Sequence, residues 1–214
     1  VVTATAQVVS GAIQGTAQPG AVVSAQQPDT SGAVVVKSTV ADAVTGVFTL
    51  SPVLSSDVGG TVDVVVVPAA SGAVPTGSMT SIIQAVPVTA GATTQLGSLS
   101  AVTTPIYSVT GSVDVAGSAA QANLRVTQTL TSQAKAYWVT SALTSGGTYA
   151  VALAASGPRL GTYSTSLPIT FTTLTNPADV GIYQVQASDA AGTTSTQSVN
   201  VSAGSATANF SLSP

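Results

Sequence analysis

The sequence contains no cysteine, no histidine and no glutamate, and only 5% of its 214 residues are charged. Without cysteine and histidine, nucleophilic sites of the Ser-His-Asp and Cys-His types are excluded, and the preferred ligands of zinc and copper are missing. Four basic residues and a net charge of −3 do not supply the basic surface that nucleic acids require. Without glutamate, and with few lysines, long solvent-facing helices are difficult to build.

The sequence also lacks long apolar runs. No window reaches the roughly 18 continuous apolar residues of a spanning helix, so we expect no membrane span. The chain does not begin with Met and shows no signal peptide, which indicates a start after processing or at a cloning boundary. Disorder requires low hydrophobicity, whereas the mean hydropathy here is +0.49. A surface rich in Ser, Thr, Gly and Ala favours an exported protein, at the cell surface or outside the cell.

Short valine-rich segments bounded by glycine and proline are abundant. The clearest is Gly59–Pro68, in which Val64–Val67 place valine on both faces of a strand that we expect to be buried on both sides. A shorter counterpart, Gly146–Leu153, lies in the second half. Further strands are predicted at Ala33–Val40 and Ser81–Val88. These segments predict an all-β protein.

The two halves of the sequence resemble each other. Val86–Ser100 lines up with Val199–Ser213, with Gly91 and Gly204 at the same turn. We therefore predict a tandem duplication, with a first β-sandwich at residues 1–102 and a second at residues 103–214. Thr103–Pro105 would be the linker between them.

The ends of the repeats carry two further features. Val1–Val9 alternates small apolar residues with Thr and Gln, which places Val2, Ala4, Ala6 and Val8 on one face. This segment is either the first strand of its domain or a free arm. Gly11–Gly15 then interrupts the pattern. The second copy is longer than the first and includes Pro168–Leu174 and Gly181–Ala187, both typical of strands. We expect an extra hairpin in the second domain.

Several motifs of the first copy belong together. They are Pro19–Val23, the Asp-turn-Gly-x-Phe-x-Leu segment Asp42–Leu50, the strand after Gly60, and a closing Val-x-Ala-Gly-x-Thr-Thr. This set resembles the carboxypeptidase regulatory-like, or transthyretin-like, β-sandwich family. The turn in Asp42–Leu50 is one residue longer than usual, and the second copy lacks this element. The resemblance implies two tandem antiparallel Ig-like sandwiches that act as non-catalytic spacer, adhesive or accessory modules.

Acidic and lysine side chains offer few chemical sites. Asp42, Asp57 and Asp63 could supply calcium ligands, but aspartate at turns usually bonds the local backbone. Lys37 or Lys135 could form an intramolecular amide with an asparagine, although ordinary solvent-facing lysines are the simpler interpretation. No glycine-rich phosphate loop opens a helix. We therefore expect no enzyme, no metal and no cofactor.

Two motifs point to sugars. Asn200-Val-Ser and Asn209-Phe-Ser match the N-glycosylation pattern, which also occurs by chance in Ser- and Thr-rich sequence. Tyr137 and Trp138 could form a platform on which a sugar ring stacks. An aromatic pair on a strand more often has one ring in the core and one at the rim.

The shortage of charge bears most directly on function. Soluble β-proteins protect edge strands with lysine, proline, bulges or inward charges, and few charges are available here. We therefore expect neighbouring copies or sugars to cover the edges, and an extended arm such as Val1–Val9 could add a strand to a neighbour's sheet. This predicts a structural subunit of an extracellular filament, pilus-like fibre or surface layer, with copies of itself as partners. The alternative is a tandem adhesion or spacer module that binds glycan or host protein.

Overall fold

The computed structural model describes residues 9–28, 30, 33–55, 60–69 and 76–213. The strands of the first half are β1 Val9–Thr16, β2 Val22–Pro28, β3 Ala33–Val40, β4 Val47–Ser55, β5 Thr61–Val67, β6 Thr76–Ser78, β7 Ser81–Pro87 and β8 Thr93–Ser98. Those of the second half are β9 Thr103–Val115, β10 Ser118–Ala119, β11 Asn123–Leu130, β12 Lys135–Leu143, β13 Thr148–Ala154, β14 Arg159–Thr162, β15 Thr172–Thr173, β16 Ile182–Ser188, β17 Thr194–Asn200, β18 Ala206–Thr207 and β19 Phe210–Leu212. The only helix in these ranges is the short 3-10 turn Thr131–Gln133. The prediction of an all-β protein is confirmed.

The first half is built from two facing sheets, ordered β4-β1-β8 and β7-β5-β2-β3. Strand β5 lies inside the second sheet and is buried on both faces, as its valine run predicts. Val64 and Val66 face the core between the two sheets, which also contains Ile13 and Leu50. Val65 faces the opposite way, into a separate cluster. The continuous valine run therefore gives one strand two apolar surfaces to bury.

Strand β1 differs from the sequence expectation, which placed a break at Gly11–Gly15. Both glycines lie within the strand. Glycine is needed at these two positions because neither has room for a Cβ atom. A Cβ at Gly11 would lie 2.6 Å from the carbonyl oxygen of Thr89, and one at Gly15 would lie 2.9 Å from the ring of Phe48. These glycines allow close packing inside a strand and do not end it.

The second half repeats the strand order of the first. Its sheets run β13-β9 with β18 and β19 beside β9, and β17-β16-β11-β12. Each position matches one in the first half, with β17 corresponding to β7 and β9 to β1. In both halves the last strands pair in parallel with the first one: β8 with β1, and β18 and β19 with β9.

The halves exchange strands across residue 102. Strand β14 pairs in parallel with β7 of the first half, and β15 pairs with β14, so this hairpin extends the sheet of the first half. Ile169, within the same segment, is buried in the first-half core. Thr103–Pro105 is not a free linker, because it opens β9 and pairs with β6. Two segments, Pro168–Leu174 and Gly181–Ala187, were expected to form an extra hairpin in the second domain. The first contains β15, which extends the sheet of the first half, and the second forms most of β16, an inner strand of the second half.

A third core joins the two halves. Val65 and Ile82 from the outer face of the β5–β7 pair meet Leu130 and Tyr137 from the second half, and all four side chains are fully buried. Shared strands and a shared core make the halves one interlocked unit. No helix in the described ranges is long and apolar enough to cross a membrane.

Candidate functional site

The predicted donor residues Val2, Ala4, Ala6 and Val8 lie outside the residues that the structure describes. Strand β1 begins at Val9, whose backbone pairs with Ser55 of β4. The first half therefore has its own first strand without residues 1–8. The donor arm stays a prediction.

A polar cluster lies beside the third core. Asp63 projects from β5 towards the second half, where its Oδ2 accepts hydrogen bonds from Lys135 Nζ at 3.0 Å and from Tyr137 OH at 2.8 Å. Its Oδ1 accepts from the backbone N–H of Ala85 at 3.0 Å. Burial, together with the nearby Asp63 carboxylate, raises the pKa of Tyr137 far above its usual range. The aspartate thus has three donors and fixes the docking of the two halves.

A second polar contact covers an edge strand. Gln26 on β2 is completely buried, and its amide makes two hydrogen bonds of 2.8 Å with Trp138 on β12, one to each backbone group. Its Nε2 also donates to Ser24 Oγ. Because β12 is the outer strand of its sheet, this side chain takes the place of a neighbouring strand at that point.

Arg159 anchors β14 to the sheet of the first half. The side chain is 5% exposed, and its Nη2 donates to Ser81 Oγ at 2.7 Å and to the carbonyl oxygen of Ser100. Its guanidinium lies 4.6 Å from the centre of the Phe171 ring. Burial lowers the pKa of Arg159. A buried cation therefore holds the segment across the junction.

The two rings of the predicted aromatic platform, Tyr137 and Trp138, point in opposite directions and do not form one surface. Tyr137 is fully buried in the third core, so its assignment as a ligand contact is corrected. Trp138 points the other way, into a groove of about 980 Å³ between β3 and the outer face of the β11–β12–β16 strands. The lining of this groove includes exposed Val34 and Leu143 and the polar side chains of Asn123, Arg125 and Gln186. Alternation along β12 sends neighbouring rings to opposite faces.

The outer strands of the sheets differ in how they are protected. Strand β3 carries Lys37 and a bulge, where its register against β2 shifts. In the described part of the chain, β17 pairs only with β16, and that pairing is regular from Thr194 to Asn200. The residues of β17 are uncharged and include no proline. This edge therefore lacks the usual protection of an outer strand.

Both predicted glycosylation sites are exposed. Asn200 ends β17, and its Oδ1 accepts from the backbone N–H of Ser202 at 2.8 Å. Asn209 lies between β18 and β19, and its Oδ1 accepts from the N–H and Oγ of Ser112 at 2.9 and 3.2 Å. An N-linked sugar is attached at Nδ2, so these contacts leave the attachment atom free.

Of the aspartates considered as calcium ligands, Asp42 is a turn residue and Asp63 is a junction residue. Asp42 Oδ1 accepts from the backbone N–H groups of Val44 and Thr45, and these bonds lower the pKa of its carboxyl. Asp57 lies outside the described residues. No three acidic side chains of the described ranges come together as a metal site. Lys135, considered for an amide bond with an asparagine, forms an ion pair with Asp63 instead.

The roles of three residues at the junction were not predicted from the sequence. Gln26 and Arg159 are single polar residues in weakly patterned segments, and their partners lie far away in the chain. Asp63 carried a detectable signal, since a lone charge inside a valine run demands a partner.

Among solved structures, the chain is similar to the shaft pilin SpaA from Lactobacillus rhamnosus GG, with 9% identity, a TM-score of 0.30, and coverage of 96% of this chain and 99% of that one. It is also similar to a candidate adhesin from Bacteroides ovatus, with 11% identity, a TM-score of 0.29, and coverage of 90% and 83%. No family model and no curated protein matches the sequence. Similarity this low assigns neither a family nor an activity.

Proposed function

We propose that the protein is a non-catalytic structural subunit of an extracellular filament, pilus-like fibre or surface layer. Copies would assemble by β-strand complementation, with residues 1–8 as the donor segment, since Val9 already pairs within its own chain. The two halves would be tandem Ig-like sandwiches, which their shared strand order supports. Their membership of the transthyretin-like family would rest on the sequence motifs of the first copy.

One observation carries the proposal: two of the sheet edges are covered by other parts of the same chain and not protected by charge. The outer edge of β7 is covered by β14, which comes from the other half, and Trp138 on the outer strand β12 is covered by Gln26. With 5% charged residues, little charge is available for this purpose. A protein built in this way can complete a further edge with a strand from another copy.

Electron microscopy tests the proposal directly. Negative staining of the concentrated protein should show fibres or sheets, whereas a variant lacking residues 1–8 should remain a folded monomer. The deletion leaves β1 whole because that strand begins at Val9. The proposal is wrong if the unmodified protein stays a dispersed monomer at high concentration.

The Trp138 groove favours a second candidate function, an adhesion module that binds glycan. The indole ring lines the same groove as Asn123, Arg125 and Gln186, so the groove offers a stacking surface and planar hydrogen-bonding groups. Trp138 is the only tryptophan, so its fluorescence reports on the groove. A saturable change on adding oligosaccharides, abolished by Arg125→Ala, would support this function.

A further inference from the structure

The two halves share a strand order but differ at one edge. In the first half, the outer edge of β7 pairs in parallel with β14, from Arg159 opposite Ser81 to Thr162 opposite Gln84. The corresponding strand of the second half is β17, and in the described ranges no strand covers its outer edge. The pseudo-symmetry of the repeat therefore marks one strand position that is occupied in the first half and open in the second.

The occupied position shows what a covering strand contributes. The segment that follows β14 places Ile169 in the first-half core, where it is 6% exposed, and packs Tyr163 and Phe171 against that core. The pairing continues beyond β14, because the N–H of Tyr163 donates to the carbonyl oxygen of Gln84 at 2.9 Å. This strand comes from outside the repeat that it completes. The first sandwich is thus finished by a segment from elsewhere in the sequence.

Strand β17 is suited to receive such a strand. Its seven residues, Thr194–Asn200, are uncharged, and their pairing with β16 has no register shift. By contrast, β3 is interrupted by a bulge and carries Lys37. Half-buried Ser195 and Gln197 and buried Val199 face inward along β17, while Thr196 and Ser198 face outward.

We propose that the outer edge of β17 is the acceptor for residues 1–8 of a second copy, which lie parallel to it as β14 lies parallel to β7. This inference rests on the proposed assembly by strand complementation and names its acceptor. The eight donor residues carry no charge and no proline, as an added strand requires. At about 3.3 Å per residue they span about 26 Å, enough to cover the seven residues of β17.

Apolar and polar residues alternate along residues 1–8, and this pattern decides which side chains of the added strand would face inward. Val2, Ala4, Ala6 and Val8 would face inward beside Val199, and Thr3 and Thr5 would face outward beside Thr196 and Ser198. Because the donor of one copy fills the edge of the next, the contact is head-to-tail and generates a filament when it does not close into a ring.

Disulfide trapping tests the acceptor, and the absence of native cysteine makes the readout clean. The double variant Thr5→Cys with Ser198→Cys should form a ladder of linked oligomers on oxidation, which disappears on reduction. The matched control, Thr5→Cys with Ser38→Cys, places the second cysteine on β3 at another exposed serine. It should stay monomeric in the denaturing gel.

Single lysine substitutions provide an independent measurement. Ser198→Lys introduces a charge at the acceptor edge and should raise the concentration needed for assembly about tenfold. Ser38→Lys should leave it unchanged, and circular dichroism checks that both variants are folded.

The outcomes distinguish the assignment of β17 as the acceptor from the broader proposal of strand complementation. Fibres that need residues 1–8 but give no Ser198→Cys ladder, or an equal Ser38→Cys ladder, overturn the β17 assignment and leave strand complementation standing. A cross-link confined to single chains overturns donation between copies in favour of an arm that folds back. Failure of the unmodified protein to assemble at all defeats both proposals.

Discussion

The Gln26 side chain bonds to the backbone of Trp138 as a neighbouring strand would, with one amide group donating and the other accepting at 2.8 Å. Both residues lie where the halves meet, and Gln26 is fully buried. A side-chain amide matches the donor and acceptor of a peptide group, so it can cover one position of an edge strand without adding a strand.

Replacement of Gln26 by leucine should therefore be costly. Gln26→Leu leaves the N–H and C=O of Trp138 without these partners, and we expect the free energy of unfolding to fall by about 2–4 kcal/mol. Urea denaturation followed by Trp138 fluorescence measures the change. The control Gln95→Leu removes an exposed amide that bonds Gln14 and should change stability by less than about 0.5 kcal/mol. Equal stability of the two variants would contradict the role given to Gln26.

Ile169 provides a test of the exchanged segment. Ile169→Ala should destabilise the protein by about 2–4 kcal/mol, because the side chain is buried in the first-half core. Leu167→Ala, in the same loop but 46% exposed, is the matched control and should be nearly neutral. Hydrogen exchange should show faster exchange in β7 for Ile169→Ala. Faster exchange confined to the strands of the second half would contradict this packing.

Local strands were the most predictable part of the fold. Ala33–Val40 was predicted with the bounds of β3, and the double burial of β5 followed from Val64–Val67. Both signals lie within the segment that forms the strand. The resemblance between the ends of the halves also indicated the matching positions of their last strands.

The exchanged segment could not be predicted, because its partners are distant in sequence. Pairing of Arg159–Thr162 with β7 is parallel and joins residues 78 positions apart, and β14 has only four residues. Its amino acids do not specify which sheet they join. Gln26 and Trp138 are 112 positions apart, and nothing near either residue indicates the other. The pairing of β14 with β7 and the Gln26–Trp138 contact depend on how distant segments pack, which local sequence patterns do not show.

Alkaline pH should weaken the fold through its buried tyrosines. Burial raises the pKa of Tyr149 to about 12, and it raises the pKa of Tyr137 and Tyr183 further. An unfolded tyrosine has a pKa near 10, so the unfolded chain loses these protons first. Stability from these groups is complete below about pH 10 and is lost as pH rises towards the folded pKa values.

Phenolate absorbance and urea unfolding at successive pH values measure this dependence. Tyr149→Phe should remove about one third of the pH dependence between about 10 and 12, because Tyr149 is one of three buried tyrosines that stay protonated in the folded protein while they ionise in the unfolded chain. Ionisation of all five tyrosines of the folded protein near pH 10 would contradict the burial of these rings.

The two predicted glycosylation sites should differ in their structural importance. Asn209 accepts two hydrogen bonds from half-buried Ser112, nearly a hundred residues away, whereas Asn200 bonds only the nearby N–H of Ser202, which is exposed. Asn209→Ala should therefore lower the free energy of unfolding by about 1 kcal/mol, and Asn200→Ala by much less, since water replaces its contact.

Peptide mass spectrometry of the protein from its source should find sugar on Asn200 and Asn209, because both Nδ2 atoms remain free. A sugar on Asn209 leaves Oδ1 bonded to Ser112, so glycosylation there should not reproduce the loss of stability caused by Asn209→Ala. Equal destabilisation by sugar and by alanine would show that the Asn209–Ser112 contact does not survive modification. Sugar on Asn209 would then leave the backbone N–H of Ser112 without this partner, between the positions where β18 and β19 pair with β9.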